Sequence, residues 1–164
     1  MLENQNYCAL IPTPFCTLGV KTKAESIERI DLIDQELDDP IYHSNFSERI
    51  SLEIQKYISN PQYQMSLPLM NKGTLFQRSV WNQINNISSG SCATYGQIAT
   101  TLESGARAVA NACRRNPYPI VVPCHRVVGK QSLGGYAGET IGFLFEAKKW
   151  LLNHEACQCV SSNN

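Results

Sequence analysis

The sequence lacks any long hydrophobic run. No stretch of its 164 residues approaches the roughly 20 uninterrupted apolar residues of a membrane span. Residues 1–6 also lack the basic and then apolar layout of a secretory signal peptide. We therefore expect a soluble, cytoplasmic protein with no membrane partner.

The sequence also lacks net charge, because its 14 Lys and Arg residues balance 14 Asp and Glu residues. With a pI near 6.8, few phosphates could be neutralised, which argues against strong non-specific affinity for DNA. The balance hides an asymmetry: residues 1–72 have an acidic excess of four and residues 73–164 a basic excess of four. This change of sign suggests two units, the second facing an anion, although chance scatter explains it equally well.

A regular cysteine pattern is missing too. The seven cysteines are odd in number and irregular in spacing, so a complete disulfide framework is not expected. In a reducing compartment such thiols are buried hydrophobes, metal ligands or nucleophiles, and their count does not choose among these. Near the C-terminus, Cys157 and Cys159 are expected to be exposed thiols.

The first third of the sequence reads as strands and turns. Two prolines interrupt residues 7–15, which favours an edge or irregular strand, and Leu18-Gly19 resembles a turn. Alternation around residues 30–32 favours a strand, although the spacing of the isoleucines would also suit a helix.

A helix and a further strand are predicted next. Ser47 is the predicted N-cap of a helix that stops at Asn60-Pro61. Strict alternation over residues 63–69 then predicts a half-buried strand. The N-terminal part is therefore predicted to be a small unit of sheet plus helix.

Helical patterns dominate from residue 71 onward. Thr74 can cap a helix that ends at residues 88–90, and residues 94–97 (TYGQ) fit a capping box. A turn at residues 103–105 separates this short helix from another over residues 106–115. Two short helices joined by such a turn are typical of a helix-turn-helix, although many helical hairpins look alike.

The second of these helices is rich in alanine and carries arginines. Small side chains would let it approach a groove closely, while Arg107, Arg114 and Arg115 could serve phosphates or base edges. The alternative is a helix packed tightly in the core with arginines at its rim.

The most informative segment is residues 116–129. Its two early prolines predict an extended entry, and the β-branched residues 120–122 suit a buried extended run. Pro123 would then place Cys124 near a helix N-terminus, where amides and dipole lower a thiol pKa. Cys124 is thus a candidate nucleophile, although a buried thiol beside a satisfied histidine is the commoner arrangement.

His125 cannot easily face Cys124, because adjacent residues point in different directions on a helix or a strand. If His125 is a base, a bridging water is the expected route, and a third group must fix its tautomer. Residues 143–155 are predicted to be helical, which puts Glu155 at the C-terminal end, where the helix dipole disfavours a carboxylate. An acid there either points into solvent, the common case, or has a cationic or donor partner. His125 could be that partner.

Several ordered motifs in residues 73–155 resemble one family. The central one is PCHRVV at residues 123–128, which looks like the active-site signature of O6-alkylguanine-DNA alkyltransferases. The other motifs are GTxFQxxVW at 73–81, TYGQIA at 94–99, RAV at 107–109, NP at 116–117 and WLLxHE at 150–155. The N-terminal third resembles the family only as a generic α+β domain.

The resemblance implies a fold and a function. The fold is α+β: an N-terminal domain of sheet plus helix (residues 1–70), a mainly helical domain with a helix-turn-helix (71–156) and a polar tail (157–164). The function is DNA repair, in which a monomer transfers an alkyl group from O6-alkylguanine in double-stranded DNA to Cys124 once only. No cofactor or metal is expected, since Cys8, Cys16 and His43 do not make a convincing set of zinc ligands.

The resemblance also implies the site residues. The catalytic group comprises the alkyl acceptor, its water-mediated base, the residue that orients the base and a bracing amide: Cys124, His125, Glu155 and Asn116. The DNA-binding group comprises Thr94, Tyr95, Arg107 and Arg114, with Tyr95 aiding nucleotide rotation and Arg107 filling the base stack. The substrate pocket comprises Tyr95, Val128, Tyr136 and Ala137.

Two other functions fit parts of the pattern. One is a non-catalytic helix-turn-helix protein in which Cys124 is structural. The other is a Cys-His hydrolase, which would need an oxyanion hole and a base in direct contact with the thiol.

Overall fold

The computed structural model describes residues 6–157. Its contacts divide the chain into two compact units, Met1–Asn71 and Lys72–Asn164. The first contains a sheet with one helix and the second is mainly helical, so the predicted α+β class is confirmed. None of the helices in the described part has the length and apolar character needed to cross a bilayer. Most of the predicted tail, residues 158–164, lies outside the described residues.

The first unit is an antiparallel four-stranded sheet with a helix against it. Its elements are β1 (Ala9–Pro12), β2 (Thr17–Lys23), β3 (Ser26–Ile33), β4 (Ile41–Tyr42) and α1 (Asn45–Ser59). The strand order is β3-β2-β1-β4, and α1 contacts β1 and β4. The helix buries Ile50, Ile54 and Tyr57, which follow the spacing of one helical face.

Two predictions for the first strands are wrong. Strand β1 lies inside the sheet, not at its edge; β4 pairs only with Ala9 and Leu10, so Pro12 needs no N–H on that side. Gly19 lies in the middle of β2, not in a turn. A Cβ there would lie 2.6 Å from the Tyr7 ring, so the glycine serves close packing over the strand.

The helix after the sheet begins earlier than predicted. Its N-cap is Ser44, and Ser47 is the reciprocal partner in a capping box. The predicted end at Asn60 is confirmed.

The strand predicted over residues 63–69 is wrong, since only Leu69 makes a β-bridge, to Ile27. The polar groups of this segment bond to α1 instead. The Tyr63 hydroxyl donates to Glu53 at 2.8 Å and the Ser66 amide at 3.2 Å.

In the second unit, residues 72–157 form five helical elements and a short parallel strand pair. The elements are α2 (Leu75–Asn85), β5 (Ala93–Thr94), α3 (Tyr95–Thr101), α4 (Ala106–Arg114), a 3-10 helix (Cys124–Arg126), β6 (Val127–Val128) and α5 (Phe143–His154). The predicted N-cap at Thr74 and the predicted capping box at Thr94 are confirmed, and Thr74 forms a capping box as well.

Helices α3 and α4 pack against each other as a helix-turn-helix, as predicted. Helix α3 ends with the Ser104 amide donating to the Ala99 carbonyl at 2.8 Å while Glu103 takes a left-handed φ of 50°. Helix α4 is anchored at its buried side, where the Trp81 indole donates to the Ala112 carbonyl at 2.9 Å. The opposite face, including Arg107, is exposed.

Candidate active site

Cys124 is buried, with 7% of its surface exposed, and its side chain lines a cavity of about 310 Å³. It begins a helix of only three residues, the 3-10 helix, and its own amide already donates to Val122 O at 2.8 Å. The predicted lowering of its pKa by a helix N-terminus is therefore wrong. Burial raises the pKa of the Cys124 thiol, and this is the largest influence on it.

Polar groups around Cys124 oppose that rise in pKa. Asn116 donates an amide hydrogen to Cys124 Sγ at 3.2 Å, and the Tyr136 hydroxyl also stabilises the thiolate. The positive charge of Lys148 acts in the same direction. The thiol is thus neutral at rest, but its surroundings favour the negative charge that develops when it attacks.

The segment that leads to Cys124 is bent, not extended as predicted. Val122 N donates to Tyr118 O at 2.8 Å, and Ile120 has a φ of 74°, a region disfavoured for a β-branched residue. Asn116 holds both ends of this turn: it accepts from Tyr118 N and donates to Val122 O, each at 2.9 Å. Its side chain therefore fixes the backbone that presents Cys124, in keeping with the predicted bracing role.

His125 and Glu155 lie together, as the sequence suggested. Both are buried, and His125 Nε2 lies 2.9 Å from Glu155 Oε1. Burial lowers the pKa of His125, although Glu155 opposes this, so the ring is neutral and Nε2–H donates to the carboxylate. The lone pair is then on Nδ1, a buried atom with no hydrogen-bond partner among residues 6–157. His125 is thereby set up to accept a proton at Nδ1.

Arg126 supplies the charge that keeps Glu155 in the interior. It donates from Nε and Nη2 to the two carboxylate oxygens, at 2.9 and 2.8 Å, and from Nη1 to Ile87 O at 2.6 Å. This bidentate pair fixes the carboxylate that orients His125. Glu155 lies just after the last residue of α5, where the helix dipole disfavours a carboxylate. Arg126 is the cationic partner that stabilises it there.

The cavity over Cys124 is walled by both helices of the helix-turn-helix. Tyr95 comes from α3 and Arg114 from α4, while Tyr136 and Ala137 come from the loop before α5. Burial raises the pKa of Tyr95, so its hydroxyl keeps its proton. Val128, predicted in this pocket, instead packs with Leu152 and Cys157 because β6 turns its side chain away from the cavity.

Two glycines let the loop before α5 approach the helix-turn-helix. A Cβ at Gly134 would lie 2.9 Å from the Tyr95 ring, and one at Gly138 3.0 Å from Arg114 Cδ. Both have positive φ, 69° and 93°, which side chains rarely adopt. The loop conformation therefore depends on these two positions.

The predicted DNA-binding residues occupy different environments. Arg107 is exposed on α4, Arg114 is exposed at the cavity wall, and Thr94 caps α3 through its hydroxyl. Their roles toward DNA stay predictions.

Lys148 is a site residue that the sequence reasoning missed. It is fully buried on α5, and Nζ donates to Val127 O at 2.7 Å and Gly135 O at 2.9 Å. The Tyr95 hydroxyl lies 3.4 Å from the same Gly135 carbonyl. Lys148 therefore connects the strand after the 3-10 helix with the loop that walls the cavity.

Lys148 also predicts a pH effect on stability. Burial lowers its pKa to about 8, so the cost of burying its charge is fully present below pH 8. In the unfolded chain the pKa of Lys148 is about 10.5. As pH rises from about 8 to about 10.5, only the unfolded chain keeps the proton on Lys148, and the wild type gains stability. The unfolding free energy of the wild type should rise relative to that of Lys148→Met by roughly 1–3 kcal/mol across this range, as measured by urea denaturation.

The matched control for this experiment is Lys149→Met, which alters the half-buried neighbouring lysine on the same helix, paired with Glu146. Its difference from the wild type should be independent of pH. Equal pH trends for the two variants would contradict a buried charge at Lys148.

The fold and the site together define a class: a two-unit α+β protein whose helix-turn-helix walls a cavity over a buried cysteine backed by histidine and glutamate. Residues 75–157 match the family model described as 6-O-methylguanine DNA methyltransferase, DNA binding domain. The chain belongs to this family.

Individual relatives agree along most of the chain. A Bacillus subtilis protein named methylated-DNA–protein-cysteine methyltransferase, constitutive, is 36% identical over 161 residues, which cover 92% of this chain and 95% of the relative. A probable enzyme of the same name from Acanthamoeba polyphaga mimivirus is 47% identical over 105 residues, 62% and 67% of the two chains. The solved structure of Mycobacterium tuberculosis OGT in complex with DNA superposes with a TM-score of 0.74 at 28% identity, covering 89% of this chain and 90% of that one.

Proposed function

We propose that this protein repairs DNA by moving the alkyl group of O6-alkylguanine onto Cys124. One observation carries the proposal: the buried Cys124 thiol lines the same cavity as residues of both helices of the helix-turn-helix. A DNA-binding element that walls a nucleophile's cavity suits a substrate delivered from DNA. The family relatives, named for transfer from methylated DNA to a protein cysteine, support the same chemistry.

Recognition begins at α4. This helix offers an exposed face rich in alanine, with Arg107 and Arg114 available to the DNA. A base inside a duplex cannot reach a buried thiol, so the nucleotide must rotate out, at a cost of a few kcal/mol of unstacking. Arg107 entering the vacated space and Tyr95 contacting the purine would offset part of that cost.

The transfer step follows from the geometry around Cys124. As the thiol proton passes through a water to His125 Nδ1, the sulfur attacks the alkyl carbon. The new S–C bond forms while the C–O6 bond breaks, and the bonding pair leaves with guanine. The guanine ring takes up one proton from water, and His125 returns the thiol proton to water. Asn116, Tyr136 and Lys148 stabilise the developing thiolate.

The product explains why no recycling is expected. A thioether on Cys124 is stable in water and has no chemical route back to the thiol. Each monomer therefore acts once. A purely structural role for Cys124 is disfavoured, because Cys124 lines the cavity and the Asn116 amide donates to its sulfur.

Mass spectrometry tests the proposal. After incubation with duplex DNA that carries O6-methylguanine, the peptide containing Cys124 should gain one methyl group, and transfer should reach a plateau at one per protein. The same duplex without the lesion is the control and should leave the peptide unmodified. A plateau well above one methyl group per protein, or a methyl group on another cysteine only, would overturn the proposal. The cytoplasmic location stays a prediction.

A further inference from the structure

Two cysteines outside the cavity are brought together across a long stretch of sequence. The sulfurs of Cys92 and Cys157 are in contact, with a sequence separation of 65 residues and Cα atoms 7.0 Å apart, the limit that a disulfide can span. Cys157 is buried, with 4% exposed, which corrects the prediction of an exposed thiol. Cys159 lies outside the described residues.

The cysteine pair joins two segments that position the candidate site without belonging to it. Cys92 directly precedes β5, which pairs in parallel with β6 and leads into Tyr95. Cys157 follows Glu155 by two residues, and its amide donates to Leu152 O at 2.9 Å. A link between these cysteines therefore ties the end of α5 to the start of the helix-turn-helix.

The surroundings of the pair are already packed in this arrangement. Cys157 lies in an apolar cluster with Val128 and Leu152, against which Cys92 and Leu133 also pack. The same two segments also come close beside the cysteine pair, since a Cβ at Gly90 would lie 3.1 Å from Glu155 O. The two segments run side by side at both points, so a bond between the sulfurs would fix a contact that the fold itself makes.

We propose that Cys92 and Cys157 are a reversible thiol–disulfide site that locks the end of α5 onto the helix-turn-helix under oxidising conditions. In a reducing cytoplasm both are thiols. A small-molecule disulfide such as oxidised glutathione takes their two electrons: one S–S bond forms in the protein, one breaks in the oxidant, and the two thiol protons leave on the two small thiols released.

The locked form protects the position of Glu155. That carboxylate orients His125, yet it lies beyond the last turn of α5, where helices fray most readily. Crosslinking across a long loop also restricts the unfolded chain, so the effect on stability should be large. The consequence for alkyl transfer rests on the proposed function, whereas crosslinking and stability do not.

Thiol mapping and melting, both without DNA, test the site. The whole protein is equilibrated with oxidised glutathione or with dithiothreitol, alkylated with iodoacetamide and digested. After oxidation, the peptides of Cys92 and Cys157 should be joined, and the melting temperature should be about 5–10 °C higher than after reduction. Cys92→Ser and Cys157→Ser should each remove this redox-dependent shift.

The matched control is Cys8→Ser, which replaces a half-buried free cysteine of the first unit and should keep the full shift. Absence of a Cys92–Cys157 peptide after oxidation would overturn the proposal, as would a redox-dependent shift that persists in Cys92→Ser. A joined peptide without any shift would show that the bond locks nothing, which also overturns it. Methyl transfer measured on the reduced proteins reports separately on the proposed function, and there Cys92→Ser should stay within about twofold of the wild type.

Discussion

Replacing Cys124 with serine should reduce methyl transfer by at least a thousand-fold while the protein stays folded. The serine hydroxyl is a weak nucleophile at its ordinary pKa, and the neutral His125 is not in direct contact to activate it. The change is nearly isosteric, so the melting temperature should move by only about 2–4 °C, equivalent to roughly 1 kcal/mol. Methyl transfer from O6-methylguanine DNA, followed by mass spectrometry, and thermal melting measure the two effects.

Cys16→Ser is the matched control. It alters a buried thiol of the first unit, whereas Cys124 lies in the second. Burial raises the pKa of Cys16 to about 12, and Cys16 is not among the residues that line the cavity. This variant should retain transfer. Near-normal transfer by Cys124→Ser would contradict the assignment of the acceptor and favour the alternative of a structural cysteine.

Removing Glu155 should damage both stability and activity. Glu155→Ala leaves the Arg126 guanidinium without its buried carboxylate and His125 without its orienting acceptor. Loss of one partner of a buried pair costs about 3–5 kcal/mol, which corresponds to a fall in melting temperature of roughly 10 °C. Transfer should fall by about 10²–10⁴-fold at a temperature where the variant is folded, because the base loses its tautomer and orientation.

Two further variants test whether these effects depend on the charge of the Glu155 carboxylate and on its buried position. Glu155→Gln keeps the shape and an acceptor, so we expect an intermediate loss of both stability and transfer. Glu146→Ala removes an exposed carboxylate of the same helix, paired with Lys149, and should change stability by less than about 0.5 kcal/mol. Equal melting temperatures for Glu155→Ala and Glu146→Ala would show that the buried network contributes nothing.

Much of the second unit could be predicted because its signals are local. Capping boxes at Thr74 and Thr94 mark helix starts through bonds between residues three apart, and the structure has both. The pairing of His125 with Glu155 was one of two predicted alternatives, because a carboxylate at a helix C-terminus requires either solvent or a cationic or donor partner. Such requirements can be read from a sequence without knowledge of the fold.

The first unit was harder to predict because non-local contacts decide its structure. Gly19 resembles a turn residue until the Tyr7 ring is seen to cover it. The alternation over residues 63–69 suits a strand, yet its polar groups find their acceptor on Glu53 of a helix. In both cases a partner distant in sequence competes with the local preference and prevails.

The electrostatics of Cys124 were misjudged for a related reason. A thiol pKa depends on how deeply the sulfur is buried, and a local motif does not report burial. A signal for Lys148 was present, however. It lies four residues after Leu144 and three before Leu151, which places it on the apolar face of α5, where a lysine must find buried acceptors.

The contact of Gly134 and Gly138 with the helix-turn-helix restricts where substrate preference can evolve. Any side chain at these two positions would press on Tyr95 or Arg114 and would require a left-handed backbone that it rarely adopts. Ala137, which lines the cavity, also has a left-handed φ of 49°. Thr140, by contrast, is an exposed residue of the same loop that lines the cavity without this backbone restriction. Changes in the size of the lesion that is accepted are therefore expected mainly at Thr140, where substitution leaves the residues that carry the chemistry unchanged.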